Sequence, residues 1–222
     1  MSAVRVMLGK DLRVELRTLQ SLPAMALFAV TTFVIFRFGL DRTSLEGSLA
    51  AGVLIVTVLF AALLAINRLF VAEREEGGFD AIRLAPVDPS ALFVAKVLAL
   101  LVYLAVLEAI ALPVFAAFFL DDASGLLPLA GIVLLLDLGL AATGTVVSTI
   151  GANSRARDLL TPLILLPLLV PLLIAAAGAA QPLLAAGGPE YGDVGKWVLT
   201  MALYDGLFLL VGYAVYDFLL ED

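Results

Sequence analysis

Six long apolar runs dominate this chain and limit what it can fold into. They lie at about 22–40, 49–66, 91–120, 126–150, 159–180 and 197–220. A helix that crosses the hydrocarbon core of a bilayer needs roughly 20 mostly apolar residues at about 1.5 Å rise each. Backbone in lipid must satisfy its own hydrogen bonds, which leaves only helices and closed barrels, and barrel strands take roughly 10 residues. The expected fold is therefore an all-α integral membrane protein with six transmembrane helices. Of the 222 residues, 63% are hydrophobic and 15% charged, whereas a soluble domain is about half apolar and about a quarter charged. No separate soluble domain fits between the runs, so residues 1–222 read as a single transmembrane domain.

Residues 1–21 precede the first run, and 3–20 read as an amphipathic helix lying on the membrane. Val4, Leu8, Leu12, Leu16 and Leu19 fall within roughly 120° of a helical wheel. Lys10, Arg13 and Arg17 fall opposite, and Arg5 and Glu15 interrupt the apolar arc. The helix would be an interfacial anchor drawn to anionic lipid; the plainer reading is a basic stretch that sets topology. The start loosely copies a signal peptide. However, Asp11 and Glu15 interrupt the basic region and no small-residue cleavage site precedes Arg37, so the whole chain is read as mature protein.

Topology follows where Lys and Arg sit. With the N-terminus inside, Arg5, Lys10, Arg13, Arg17, Arg68, Arg74, Arg83, Lys96, Arg155 and Arg157 face the cytoplasm, and Arg37, Arg42 and Lys196 face outward. Ten against three is a positive-inside bias, and an even number of spans returns the C-terminus to the cytoplasm.

Chemistry within the chain is narrowed by what is missing. With no Cys and no His, disulfides, Cys-ligated zinc, iron–sulfur clusters, the commonest metal ligand and the usual general base are absent. No catalytic residue, metal site or nucleic-acid partner is expected. Haem iron would have to be ligated by Met or Tyr, such as Met25, Met201 or Tyr204, and we read these as packing residues. No GxxxxGK[ST] loop occurs, so any ATP must bind another chain.

Three features carry the functional argument. The first is the loop after the second run. Glu73, Glu75, Glu76 and Asp80 oppose Arg68, Arg74 and Arg83, Gly77-Gly78 breaks the helix, and Phe79, Ile82 and Leu84 give an apolar side before Pro86. It reads equally as a docking element or as a solvated connector. The second is Pro162, Pro167 and Pro171 in the fifth run, either a helix that flexes or a static kink. Pro113 adds an expected kink in the third. The third is Glu108, Asp137 and Asp205 inside spans, with no Lys or Arg at similar depth. They read as a polar path or proton site, or as hydrogen-bonding residues partnered by Tyr103, Thr143 or Tyr204, which we prefer. Gly139, Ala142, Thr143, Gly144, Thr145 and Ser148 in the fourth run permit close helix approach.

The segment Arg68-Leu69-Phe70, Glu75-Glu76-Gly77, Leu84-Ala85-Pro86 and Ala95-Lys96-Val97, followed by Leu165-Leu166-Pro167-Leu168-Leu169-Val170-Pro171, resembles the haem exporter protein B (CcmB) family. The specific similarity covers about 65–98 and 158–176. The resemblance implies a type-2 ABC exporter permease in the bacterial inner membrane, with an N-terminal interfacial helix before six spans. It implies that Glu73–Pro86, with Glu73, Glu75, Glu76, Gly77, Phe79, Arg83 and Pro86, couples to a separate CcmA-like ATPase that binds ATP–Mg. It also implies a homodimer, CcmC-like, CcmD-like and CcmE-like partners, and haem as the substrate handled. Three alternatives stay open: a type-2 permease for a lipid, polysaccharide or drug, an ion-coupled carrier built on Glu108, Asp137 and Asp205, and an assembly scaffold.

Overall fold

The computed structural model describes residues 3–40, 44–69, 88–122, 124–151 and 157–221. These form seven helices and no strand: α1 (Ala3–Thr18), α2 (Leu22–Gly39), α3 (Gly47–Arg68), α4 (Pro89–Phe119), α5 (Leu126–Gly151), α6 (Arg157–Leu183) and α7 (Val194–Glu221). The last six are long and apolar enough to cross a membrane, as the apolar runs predict.

Local chemistry explains the boundaries. Asp88 caps α4: its carboxylate accepts from the Ser90 amide at 2.9 Å and the Ser90 hydroxyl at 2.6 Å, with Pro89 at the first helical position. The Ser90 hydroxyl, followed by the Ser90 amide, holds this carboxyl below the usual Asp range. α4 runs through Pro113, and α6 runs through Pro162, Pro167, Pro171 and Pro182 without ending.

At the first residue of α3, Gly47 takes a φ of 54°, and its amide donates to the Leu184 carbonyl at 2.6 Å. The Leu45 amide donates to the Phe119 carbonyl at 2.9 Å. These bonds tie the link between α2 and α3 to the ends of α4 and α6. Trp197 lies in the first turn of α7 with its ring over Gly178.

Packing is centred on α5, which touches α3, α4, α6 and α7. A Cβ on Gly139 would strike the Asp205 carboxyl and Leu172, and one on Gly144 would strike Ile66. Small residues let these helices approach closely, as small-residue interfaces do in membranes. Phe33 of α2 packs on Phe115 and Phe119 of α4, at 5.5 and 6.0 Å between ring centroids. In contrast, α2 and α7 bury only 17% of their apolar windows. They present Leu27, Ile35 and Phe38, and Leu199, Leu203 and Leu210, outward. Such faces suit lipid as solvent.

Candidate functional site

Polar groups converge where α1, the end of α3 and the start of α4 meet. On α1, Asp11 and Glu15 are buried, Met7, Leu8 and Leu12 pack partly against the bundle, and Leu16 is exposed, as is Leu19 just past its end. Lys10, Arg13 and Arg17 are exposed on the opposite side. The helix thus has three sectors, one toward protein, one apolar and open, and one basic. Glu15, an interruption on the wheel, has a defined role. Its Oε1 accepts from the Ser21 and Leu22 amides at 2.8 and 2.9 Å. Those are amides at the start of α2, where a carboxylate is favoured. The wheel misses this because the partner belongs to the next helix.

Lys96, which the charge pattern counts only as an inner-side cation, is buried at 2% exposure. Its Nζ lies 2.9 Å from Asp11 Oδ2 and donates to the Leu69 carbonyl at 3.2 Å. Lys10 Nζ lies 3.5 Å from Asp11 Oδ1. The Tyr103 hydroxyl donates to the Asp11 carbonyl at 3.1 Å, and Arg68 Nη1 donates to the Gln20 carbonyl at 3.0 Å. Glu15, Asp11 and Lys96 therefore tie α1 to α2, α3 and α4 at once.

The three intramembrane acids are all buried: Glu108 on α4, Asp137 on α5 and Asp205 on α7. Glu108 and Asp137 are near enough for their charges to interact, and Asp205 packs against Gly139. Among the described residues, none of their six oxygens meets a hydrogen-bond donor. This corrects the expectation that Tyr103, Thr143 or Tyr204 would partner them. Tyr103 lies five residues before Glu108, about 140° around the helix, and bonds α1 instead. Thr143 donates to the Tyr204 hydroxyl at 3.2 Å, which donates to the Leu168 carbonyl at 3.0 Å.

That chain joins α5, α7 and α6 beside Pro171. Pro171 has no N–H, so the Pro167 carbonyl loses its helical donor, and Tyr204 bonds the next carbonyl along. Pro167 and Pro171 are exposed and Pro162 half-buried. Met25 and Met201 are fully buried in the core, on separate helices.

At the other end of the bundle a cavity of about 240 Å³ lies between the interhelical links, lined by residues that include Glu46, Asp121 and Asp122. Asp122 is fastened to Ser124, accepting from its amide at 3.0 Å and its hydroxyl at 2.6 Å. Among the described residues, no group of three or more His, Cys, Asp or Glu is placed to hold a metal ion.

Glu73, Glu75, Glu76, Gly77, Phe79, Arg83 and Pro86 lie outside the described residues. The structure describes the two ends of that loop, Leu69 and Asp88.

Six apolar helices, four of them packed around a fifth, α5, with polar ties gathered at one end, define an all-helical multi-pass membrane protein. A sequence model described as CcmB protein matches residues 1–218, and the chain belongs to that family. A protein from Rhodobacter capsulatus named Heme exporter protein B is 29% identical, over 77% of this chain and 79% of the relative. Relatives of the same name from Paracoccus denitrificans and Pseudomonas aeruginosa are each 28% identical, over 90% and 88% of this chain and 92% and 87% of their own lengths.

Proposed function

We propose that this chain is the permease subunit of an ABC complex that handles haem for cytochrome c maturation. One observation carries the reading: the CcmB family match runs through nearly the whole chain, and the relatives are named Heme exporter protein B. The chain works as one transmembrane domain in the bacterial inner membrane, with both termini in the cytoplasm, as the Lys and Arg distribution supports. A separate CcmA-like subunit binds and hydrolyses ATP, because this sequence holds no phosphate loop. Glu75, Glu76, Phe79 and Arg83, within Glu73–Pro86, contact that ATPase, and two copies of each subunit assemble with CcmC-like, CcmD-like and CcmE-like partners.

The mechanism is mechanical. Nucleotide draws the ATPases together, the loop at 70–87 moves, and the two permease copies shift. Movement either exports haem or releases the haem-loaded chaperone. Pro162, Pro167 and Pro171 give α6 its compliance, and Lys10, Arg13 and Arg17 hold α1 against anionic headgroups.

Purification from native membranes in mild detergent tests the reading. The ATPase and a haem-binding membrane protein are expected in the same particle, and deletion is expected to abolish c-type cytochromes. Normal cytochromes after deletion would favour a permease for another substrate. Glu75→Ala/Glu76→Ala/Arg83→Ala is expected to lose ATPase co-purification; full retention would remove the loop from the coupling role.

A second reading draws on Glu108 and Asp137, both buried without a hydrogen-bond donor among the described residues. These acids would make the chain an ion-coupled carrier. Transport driven by a proton gradient in liposomes holding this protein alone would favour it.

A further inference from the structure

We infer that Lys96 is the joint that passes movement of the loop at 70–87 into α1, so that the N-terminal helix moves with the loop. The inference rests on the reading of that loop as the ATPase-coupling element.

The loop leaves α3 at Leu69 and rejoins described structure at Asp88. One buried ammonium touches both the loop's departure point and α1: Lys96 Nζ donates to the Leu69 carbonyl at 3.2 Å and forms an ion pair with Asp11 Oδ2 at 2.9 Å. Lys96 stands on α4 seven residues after Pro89, about two turns in. Leu69 therefore cannot shift without either carrying Asp11 along or breaking a buried contact. Removing one partner of a buried ion pair typically strands a charge at strong cost, so carrying it along is favoured.

Attachment alone does not explain the charges. The buried residues of α1 are Asp11 and Glu15, both ionisable, while Val6 and Leu16 of the same helix are exposed. Apolar residues of similar volume often hold an element as firmly as a buried ion pair, or more firmly. They also permit sliding, because apolar packing is non-directional. An ion pair and hydrogen bonds fix distance and angle. Among the described residues, Asp11 pairs with Lys96 at 2.9 Å and with Lys10 at 3.5 Å. The Tyr103 bond to the Asp11 carbonyl and the Arg68 bond to the Gln20 carbonyl add two further directional ties between α1 or its end and α4 and α3.

The native chain has no Cys, so spin labels can be placed singly without removing any. The test uses the assembled permease–ATPase complex in lipid nanodiscs. Labels at Val87→Cys on the loop and Arg13→Cys on α1 are each measured against Leu203→Cys on α7 by pulsed electron resonance, with and without a non-hydrolysable ATP analogue. Both distances are expected to shift with nucleotide. In Asp11→Leu/Lys96→Met the loop shift persists and the α1 shift is lost; in Lys96→Arg, which keeps N–H donors for both the Leu69 carbonyl and the Asp11 carboxylate, the α1 shift is retained. An α1 label that stays still while the loop label moves would overturn the inference and leave the coupling reading standing. An undiminished α1 shift in Asp11→Leu/Lys96→Met would overturn it as well. A loop label that does not move removes the coupling reading and this inference with it. The first comparison needs only labelled complexes with the native pair, so it holds even if a paired variant fails to fold.

Discussion

At the scale of single residues, the side chains that matter most are polar groups in apolar surroundings. Glu15 accepts two amide bonds from the start of α2. Glu15→Ala is expected to destabilise the detergent-solubilised protein by about 1–3 kcal/mol, seen as a lower Tm, because the amides lose a charged acceptor. Gly139 has a different role, since its missing Cβ leaves room for the Asp205 carboxyl and Leu172. Gly139→Leu is expected to cost roughly 1–3 kcal/mol by overpacking. Gly131→Leu, on the same helix with open space around the site, is expected to leave Tm nearly unchanged. Glu108→Gln and Asp137→Asn preserve shape while removing the titrating group. If the pair only fills space, both variants keep the wild-type yield of c-type cytochromes; if it holds a proton in the cycle, both lose it.

At the scale of elements, α4 has a side-chain cap that pH can switch. Ser90 lowers the Asp88 carboxyl below its ordinary value. A depressed carboxyl contributes stability above its unfolded value and loses it as pH falls through the folded one. Wild type is therefore expected to lose α4 capping under acid conditions, and Asp88→Asn to remove that part of the pH dependence of Tm. Lys96 links the Leu69 carbonyl, just past the end of α3, to Asp11 on α1. The apolar wheel of residues 3–20 identifies α1 as a helix but misjudges its contacts. Its packed face centres on Asp11 and Glu15, with the leucine stripe only partly engaged.

At the scale of the whole molecule, α5 is the axis around which α3, α4, α6 and α7 pack, while α2 and α7 present broad apolar faces outward. Polar ties gather at one end, at Lys96 and Glu15, and backbone bonds at the other, through Gly47 and Leu45. The bundle is thereby fastened at both ends and packed by small residues in the middle. A reporter fused at the C-terminus is expected to be active only when its signal requires the cytoplasm, and activity outside would refute the topology.

Six helices, their approximate ends and the basic N-terminal segment were legible from the sequence alone, because hydrophobic length and charge placement are local, one-dimensional properties. The CcmB resemblance was legible too, from two ordered motifs. Partnerships among polar residues were not. Tyr103 looks like a partner for a membrane acid, yet bonds Asp11 across 92 positions of chain. Lys96 looks like a topology marker, yet is a buried ion-pair partner. Which polar atoms meet depends on helix rotation and packing, set by contacts such as Gly139 with Asp205 and Gly144 with Ile66. Those contacts lie between residues far apart in sequence, so only the tertiary structure decides them.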